Sequence, residues 1–297
     1  MGMNGLDHGM DRTLLPPIAP SLNEVGPRER SELVGWIEDS PRAALALGSL
    51  VGGFSRAYVV GDASRPRAAV IHIAEATAEP EVLGSDPAAV WSILSRLPGW
   101  QRPHLLSDGL AGPLPHLMER ELKVPVRREK DLQYVLGSAP VDHQDARVRR
   151  ITIADREIVE RSDRLTQPRG HGDVRTTLSQ GVVGGAVVGD RLVSSVMSCA
   201  WGGVHVNLGA ATAKDWRGQG LAAAETVLVC RALQERGLRP CWCTDRQNIA
   251  SQRVAEKVGF ELVEGGEYLL PEGPPGQAFG PHDPETKGSR RVPRTSG

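Results

Sequence analysis

The sequence predicts an α/β protein built in two consecutive halves. Three observations carry this. The chain has 297 residues, more than one hydrophobic core of usual size organises. Helical stripes and short alternating apolar runs succeed one another along most of it. The order helix, strand, helix also recurs with an offset of roughly 135 residues, the mark of an internal repeat.

In the first half a helix is expected over much of 28–50, stopped by Gly52-Gly53. Strands are expected at 57–60 and 68–74, turning at Gly61-Asp62. Ser85-Asp86 offers capping oxygens to a helix at 87–97 that opens with Pro87. A strand at 104–107, a helix at 114–122 and a strand at 131–136 follow. Residues 138–147 are polar, contain Pro140 and read as a linker. The second half gives a β-rich run at 181–200, a strand at 204–212 and a helix at 221–236 closed by Gly237. A strand at 239–245, a helix at 248–258 and a strand at 260–263 complete it. The expected units are therefore 21–137 and 148–270, with a loose N-terminus. Residues 271–297 hold 6 Pro and 5 Gly without apolar periodicity and read as a disordered tail.

Composition narrows the class. With 35 basic and 36 acidic residues the net charge is −1, no footprint for nucleic acid or an anionic membrane surface. No apolar run approaches the roughly 18 residues a bilayer span needs, and the start lacks the apolar core of a signal peptide. Cys199, Cys230, Cys241 and Cys243 all fall inside expected elements, as reduced core thiols of a cytoplasmic protein would. Cys241-x-Cys243 puts two thiols on one strand face without clustered partners, so no metal is expected.

The segment Arg217-Gly218-Gln219-Gly220-Leu221-Ala222 joins a strand to a strongly helical run. A glycine turn entering a helix directs backbone N–H groups to one point, where the helix N-terminus adds about half a positive charge. Arg217 can add a full one. A phosphate-bearing ligand is expected. The Lys-Ser/Thr of a P-loop is missing after Gly220, and position 223 is Ala where a dinucleotide fingerprint needs its third glycine. A nucleotide-binding module that merely mimics the turn is the competing reading.

Arg-x-x-Gly-x-Ala at 217–222 resembles the pyrophosphate-binding signature Q/R-x-x-G-x-G/A of the GNAT superfamily of N-acetyltransferases. Asn248 through Phe260, with Ser251, Glu256-Lys257 and Gly259-Phe260, is similar to a second motif of that family in the expected order. The residues also make local sense, since Asn248 can cap a helix and Gly259 can end it. The resemblance implies two tandem GNAT-like domains, each a mixed, mostly antiparallel sheet flanked by helices. Leu83-Gly84-Ser85-Asp86 stands where the first half would need its phosphate loop, and an aspartate there argues against a coenzyme site.

The activity implied is transfer of an acyl group, most often acetyl, from acetyl-CoA to an amine of a small-molecule or peptide acceptor. The resemblance places the coenzyme against Leu208, Ala210, Ala211, Thr212, Arg217, Gly218, Gln219, Gly220, Leu221, Ala222, Asn248 and Ser251. The tyrosine that many relatives use as general acid is replaced by Ala255. His205 and Asp245 are the candidates for handling the amine's proton, with His205 chemically suited as a base. A catalytically silent fold that binds acyl-CoA as a regulatory ligand is the alternative, and a homo-oligomer is left open.

Overall fold

The computed structural model describes residues 22–73, 79–274, 277 and 279. The expected loose N-terminus and most of the expected tail lie outside them. Two sheets organise the chain.

The first half runs α1 (Pro27–Trp36), α2 (Ala44–Gly52), β1 (Ser55–Val60), β2 (Ala68–Ile73), β3 (Glu81–Gly84), α3 (Pro87–Leu94), β4 (His104–Leu105), α4 (Pro113–Leu122), β5 (Val126–Lys130) and β6 (Leu132–Val135). The single helix expected over 28–50 is two. Ser40 caps a one-turn 3-10 segment that opens with Pro41, and the ring bars a continuous helix there. The second half runs β7 (Val148–Arg150), α5 (Arg156–Arg161), α6 (Val174–Gln180), β8 (Val183–Val188), β9 (Arg191–Ser198), β10 (His205–Thr212), α7 (Leu221–Gln234), β11 (Arg239–Thr244), α8 (Ile249–Val258), β12 (Glu261–Val263) and β13 (Glu267–Pro271). Gly259 ends α8 in the left-handed region, as its sequence position suggested.

The strand orders are β1-β2-β3-β4-β13-β5 and β12-β6-β11-β10-β9-β8-β7. Reading β1 to β5 in the first sheet and β8 to β12 in the second, neighbours pair antiparallel, antiparallel, parallel, antiparallel, antiparallel in both. The repeat is therefore real, but its halves are not cut at the linker. Strand 131–136, assigned from sequence to the first unit, sits as β6 between β11 and β12 of the second sheet. In exchange β13 sits between β4 and β5 of the first. The last unit also does not end in a tail at 271, because Pro271 pairs with Val126 and Phe279 stacks on Trp100 at 5.1 Å.

The two exchanged segments cross at Asp131 and at Glu264-Gly265-Gly266. A Cβ on Gly265 would lie 2.0 Å from Asp131 Oδ1, and one on Gly266 2.3 Å from His104 Nε2. Only glycine lets the chains pass this closely. Each sheet has its own core. Trp100, Leu94, Leu114 and Met118 pack against one face of the first sheet, where Val70 and Val82 lie. Val227, Leu233, Trp242 and Phe260 fill the α7/α8 side of the second. A further cluster joins α1 and α2 to the opposite face of the first sheet and reaches Ala200. No helix among the described residues is long and apolar enough to cross a membrane.

Candidate active site

The second sheet opens in its middle. β10 and β11 pair in parallel only over His205↔Arg239, Val206↔Pro240 and Asn207↔Cys241. Beyond that, β10 follows β9 through Thr212↔Ser194, while β11 follows β6 through Thr244↔Leu132. Asn207 O accepts from Cys199 N–H at 2.8 Å, and Ala213 N–H donates to Val193 O at 2.9 Å. Antiparallel pairing alternates strictly, so the intervening Leu208, Ala210 and Thr212 turn their main-chain groups into the gap. Thr212 O is met there by Arg217 Nε at 3.1 Å.

The gap leads to the turn before α7. Gly218 and Gly220 have φ of 75° and 83°, in the left-handed region, where other residues are strained. Among the described residues no side chain caps α7. The N–H groups of Gly218, Gln219 and Gly220 donate to no described acceptor. Three unused donors at an uncapped helix start form an anion site. Arg217, Arg253 and Lys257 line the same cavity, and no described carboxylate pairs with them. Donors and charge thus fit a pyrophosphate on observation alone.

That cavity encloses about 880 Å³ and extends from the turn to a wall contributed by the first half and by β13. Arg102 and Tyr268 belong to this wall, facing Cys243 and Asp245. Arg102 lies within 2.6 Å of Glu79 and 3.5 Å of Asp245, with Cζ 4.6 Å from the Tyr268 ring centre. Behind it, His104 Nδ1 is 2.8 Å from Glu81 and Nε2 is 3.4 Å from Asp131. Burial pulls the His104 imidazole down, but the two carboxylates outweigh it and lift it to about 10. Cys243 Sγ–H donates to Asp131 Oδ2 at 3.1 Å. Burial and that carboxylate push the thiol well above its usual range.

The structure gathers Leu208, Ala210, Ala211, Thr212, Arg217, Gly218, Gln219, Gly220, Leu221, Ala222, Asn248 and Ser251 around this one cavity. Asn248 caps α8 through Ser251 N–H at 3.2 Å, and Ser251 Oγ accepts from Trp242 Nε1 at 2.9 Å. Of the two proton-handling candidates, Asp245 lies at the cavity and His205 does not. His205 sits where β10 and β11 are still joined. Its Nδ1 meets Asp39 at 3.0 Å, and Asp39 also accepts from Val204 N–H. The reason is geometric: the gap opens three residues later, and the His205 ring ties the α1–α2 turn to the second sheet. Ala255 is fully buried in the core below the cavity. Arg102 and Tyr268 escaped the sequence reading, because nothing local reveals that strands from opposite halves will meet.

A sequence profile of the GNAT acetyltransferase family matches residues 155–268. No curated protein matches the chain. Among solved structures, a GCN5-related N-acetyltransferase-like protein from Streptococcus suis is similar at a TM-score of 0.60 and 18% identity, covering 82% of this chain and 99% of its own. A GNAT-family acetyltransferase from Colwellia psychrerythraea reaches 0.50 at 10%, covering 82% and 95%. A tandem GNAT protein from the clavulanic acid biosynthesis pathway reaches 0.51 at 14%, covering 88% and 98%. At these identities the likenesses speak for the fold, including its doubling. Residues 155–268 thus match the GNAT acetyltransferase family in sequence, and the described residues as a whole share the fold of its solved members.

Proposed function

We propose that the protein is an acyl-CoA-dependent N-acyltransferase that moves acetyl from acetyl-CoA to an amine of a small-molecule or peptide acceptor. The observation that carries this is the gap between β10 and β11, where β10 main-chain groups beyond Asn207 face no partner strand, opening onto a start of α7 that no described side chain caps. In this reading the amides of Gly218 to Ala222 and the Arg217 side chain hold the pyrophosphate. The main chain of Leu208, Ala210 and Thr212 meets the pantetheine amides, with Ala211, Asn248 and Ser251 as neighbours. Acetyl-CoA supplies an activated thioester.

An N–H in the Leu208–Ala210 stretch polarises the thioester carbonyl and stabilises the oxyanion formed when the amine attacks. An alkylamine with a pKa of 10.4 is only about 0.04% neutral at pH 7, so loss of its proton needs help. Asp245 is the carboxylate on the cavity wall, held by one 3.5 Å contact to Arg102. It takes the role of proton acceptor here, directly or through water.

Calorimetry and thermal shift with coenzyme A, ATP and NAD test the binding half. Stabilisation by coenzyme A alone is expected, and equal stabilisation by ATP sinks the reading. Thioester consumption with an amine panel tests the chemistry. Tight binding without turnover on any amine favours a silent, ligand-sensing fold instead.

A further inference from the structure

Behind the phosphate turn lies a buried acid. Glu225 is the fifth residue of α7, just over one turn in from the free amides, and it is fully buried. Gly184 makes this possible: a Cβ there would lie 3.0 Å from Glu225 O, so β8 and α7 close over the carboxyl. Burying a carboxylate without a cation is costly, and no described cation pairs with it. Arg149 of β7 is held by Asp155, and Arg150 donates to Gly181 O. Arg191 stands at the exposed start of β9, and His205 and Arg239 lie at the far ends of β10 and β11. Arg217 donates to Thr212 O, Arg253 and Lys257 of α8 face the cavity, and Arg231 of α7 itself goes to Asp142. Asp145 is paired with Arg147. Burial lifts the acid from 4.5 to about 8, with the Ser194 hydroxyl opposing and Asp145 reinforcing.

The carboxyl is linked to the cavity through two hydroxyls. Ser194 Oγ lies 2.8 Å from Glu225 Oε2 and 2.8 Å from Thr212 Oγ1. Ser194 and Thr212 are directly opposite on β9 and β10, and Thr212 is half-buried on the cavity wall. A hydroxyl has one proton to give, so the direction of this chain depends on the acid. An ionised Glu225 only accepts. Ser194 must then donate to it, Thr212 must donate to Ser194, and no proton is left for the cavity. A neutral Glu225 reverses the order. Its Oε1 is sealed and makes no hydrogen bond, so Oε2 carries the acid proton to Ser194. Ser194 donates to Thr212, and the Thr212 hydrogen is free to point into the cleft.

We propose that neutral Glu225 is a positioning residue for the coenzyme, acting through Ser194 to aim the Thr212 hydroxyl as a donor to acetyl-CoA. The phosphates and pantetheine carbonyls of that molecule are the acceptors such a donor serves. Ionisation withdraws the donor and also sets a negative charge behind the turn, against the pull of the helix start on phosphate. Affinity is therefore full while the acid is neutral and is lost as pH rises through its range, and binding above that range takes one proton from solvent. The assignment rests on the coenzyme reading of the cavity.

Calorimetry with acetyl-CoA between pH 7.5 and 9.5, above the titration of its phosphates, tests this. Wild-type affinity is expected to fall roughly tenfold across the range, the scale of one hydrogen bond to a charged group. At pH 9, binding heats in buffers of different ionisation enthalpy should report proton uptake. Glu225→Gln, whose amide also donates to Ser194 and cannot ionise, should give a flat profile without uptake. Thr212→Val, which has no hydroxyl to aim, should lose about tenfold already at pH 7.5, with melting temperatures confirming that both variants are folded. A flat wild-type profile overturns the proposal, as does an unchanged slope in Glu225→Gln or full affinity in Thr212→Val. Wild-type protein that binds no acetyl-CoA at pH 7.5 would instead overturn the coenzyme reading itself.

Discussion

The two halves carry the same turn in the same place, strand into helix beside a parallel neighbour, and they treat its anion site oppositely. At β10–α7 no described residue takes the amides of Gly218, Gln219 and Gly220 or caps the helix. At β3–α3, Gly84 N–H is taken by Ser107 Oγ at 3.0 Å, and the amides of Ser85 and Asp86 by Arg67 O. Asp86 caps α3 through Ala89 N–H, and its other oxygen meets Arg67 at 3.0 Å. A carboxylate of the chain thus occupies the place of an external phosphate. The comparison teaches that a fold-level repeat does not repeat its ligand, because two side chains and one main-chain carbonyl suffice to close the site from within.

The largest expected effect comes from trying to separate the halves. Residues 148–270 alone lack β6, which lies between β11 and β12, and leave β13 without partners. Such a fragment should show no cooperative thermal transition by circular dichroism. A sharp melt near that of the full chain would show the exchange to be dispensable.

Next is the turn itself. Gly220→Glu copies the first half's logic into the second by placing a carboxylate where the amides converge, and adds the strain of a positive φ. Coenzyme A binding should weaken by more than about 100-fold, with one site per chain in the wild type and none appearing at Gly84–Asp86. Arg217→Ala removes one charge-assisted contact of about 1.5–3 kcal/mol and should cost roughly ten- to a hundredfold. Asp86→Ala is the counter-test. It should lower stability by about 1 kcal/mol through the lost cap while leaving coenzyme affinity unchanged, and a second binding isotherm there would break the comparison.

Much of this was legible in the sequence, and what was not has a common cause. Arg217 to Ala222, Asn248 and Gly259 announce themselves because capping and turning are local demands. The Pro41 break was also readable, yet the apolar content on both sides hid it. By contrast, His205 was read on residue type, and its partner Asp39 lies 166 residues away. Glu81, His104 and Tyr268 come from β3, β4 and β13, and Arg102 and Asp131 from the segments beside β4 and β6, so their meeting depends on a long-range exchange. No window of sequence contains that information.

The helices following the two turns differ as well. α3 carries no carboxylate, whereas α7 buries Glu225, whose Oε2 accepts from Ser194 Oγ at 2.8 Å. Burial raises its pKa from 4.5 to about 8, against the opposing Ser194 hydroxyl. The folded state therefore keeps a proton that the unfolded chain has released, and stability falls as pH rises from 4.5 towards 8, then levels. Glu225→Gln should flatten that slope, gaining on the wild type in melting temperature at pH 8 relative to pH 5. A parallel pH profile would show that Glu225 is not the group responsible.

The smallest effect is expected at His205. His205→Gln should change kcat less than about threefold, with a modest drop in melting temperature from the lost Asp39 contact.

The reciprocal placement of β6 and β13 also sets an order on birth of the molecule. During synthesis the first sheet has β1 to β5 available early, yet β4 and β5 have no strand between them until Glu267–Pro271 emerges from the ribosome. Their exposed edges must wait through the making of about half the chain, as must β6, whose partners come last as well. Domains usually fold as units in N-terminal order, and unpaired edges invite aggregation. Here a late strand completes the early sheet and an early strand completes the late one. Nascent chains stopped before residue 267 are expected to be chaperone clients, and the finished protein to close all at once.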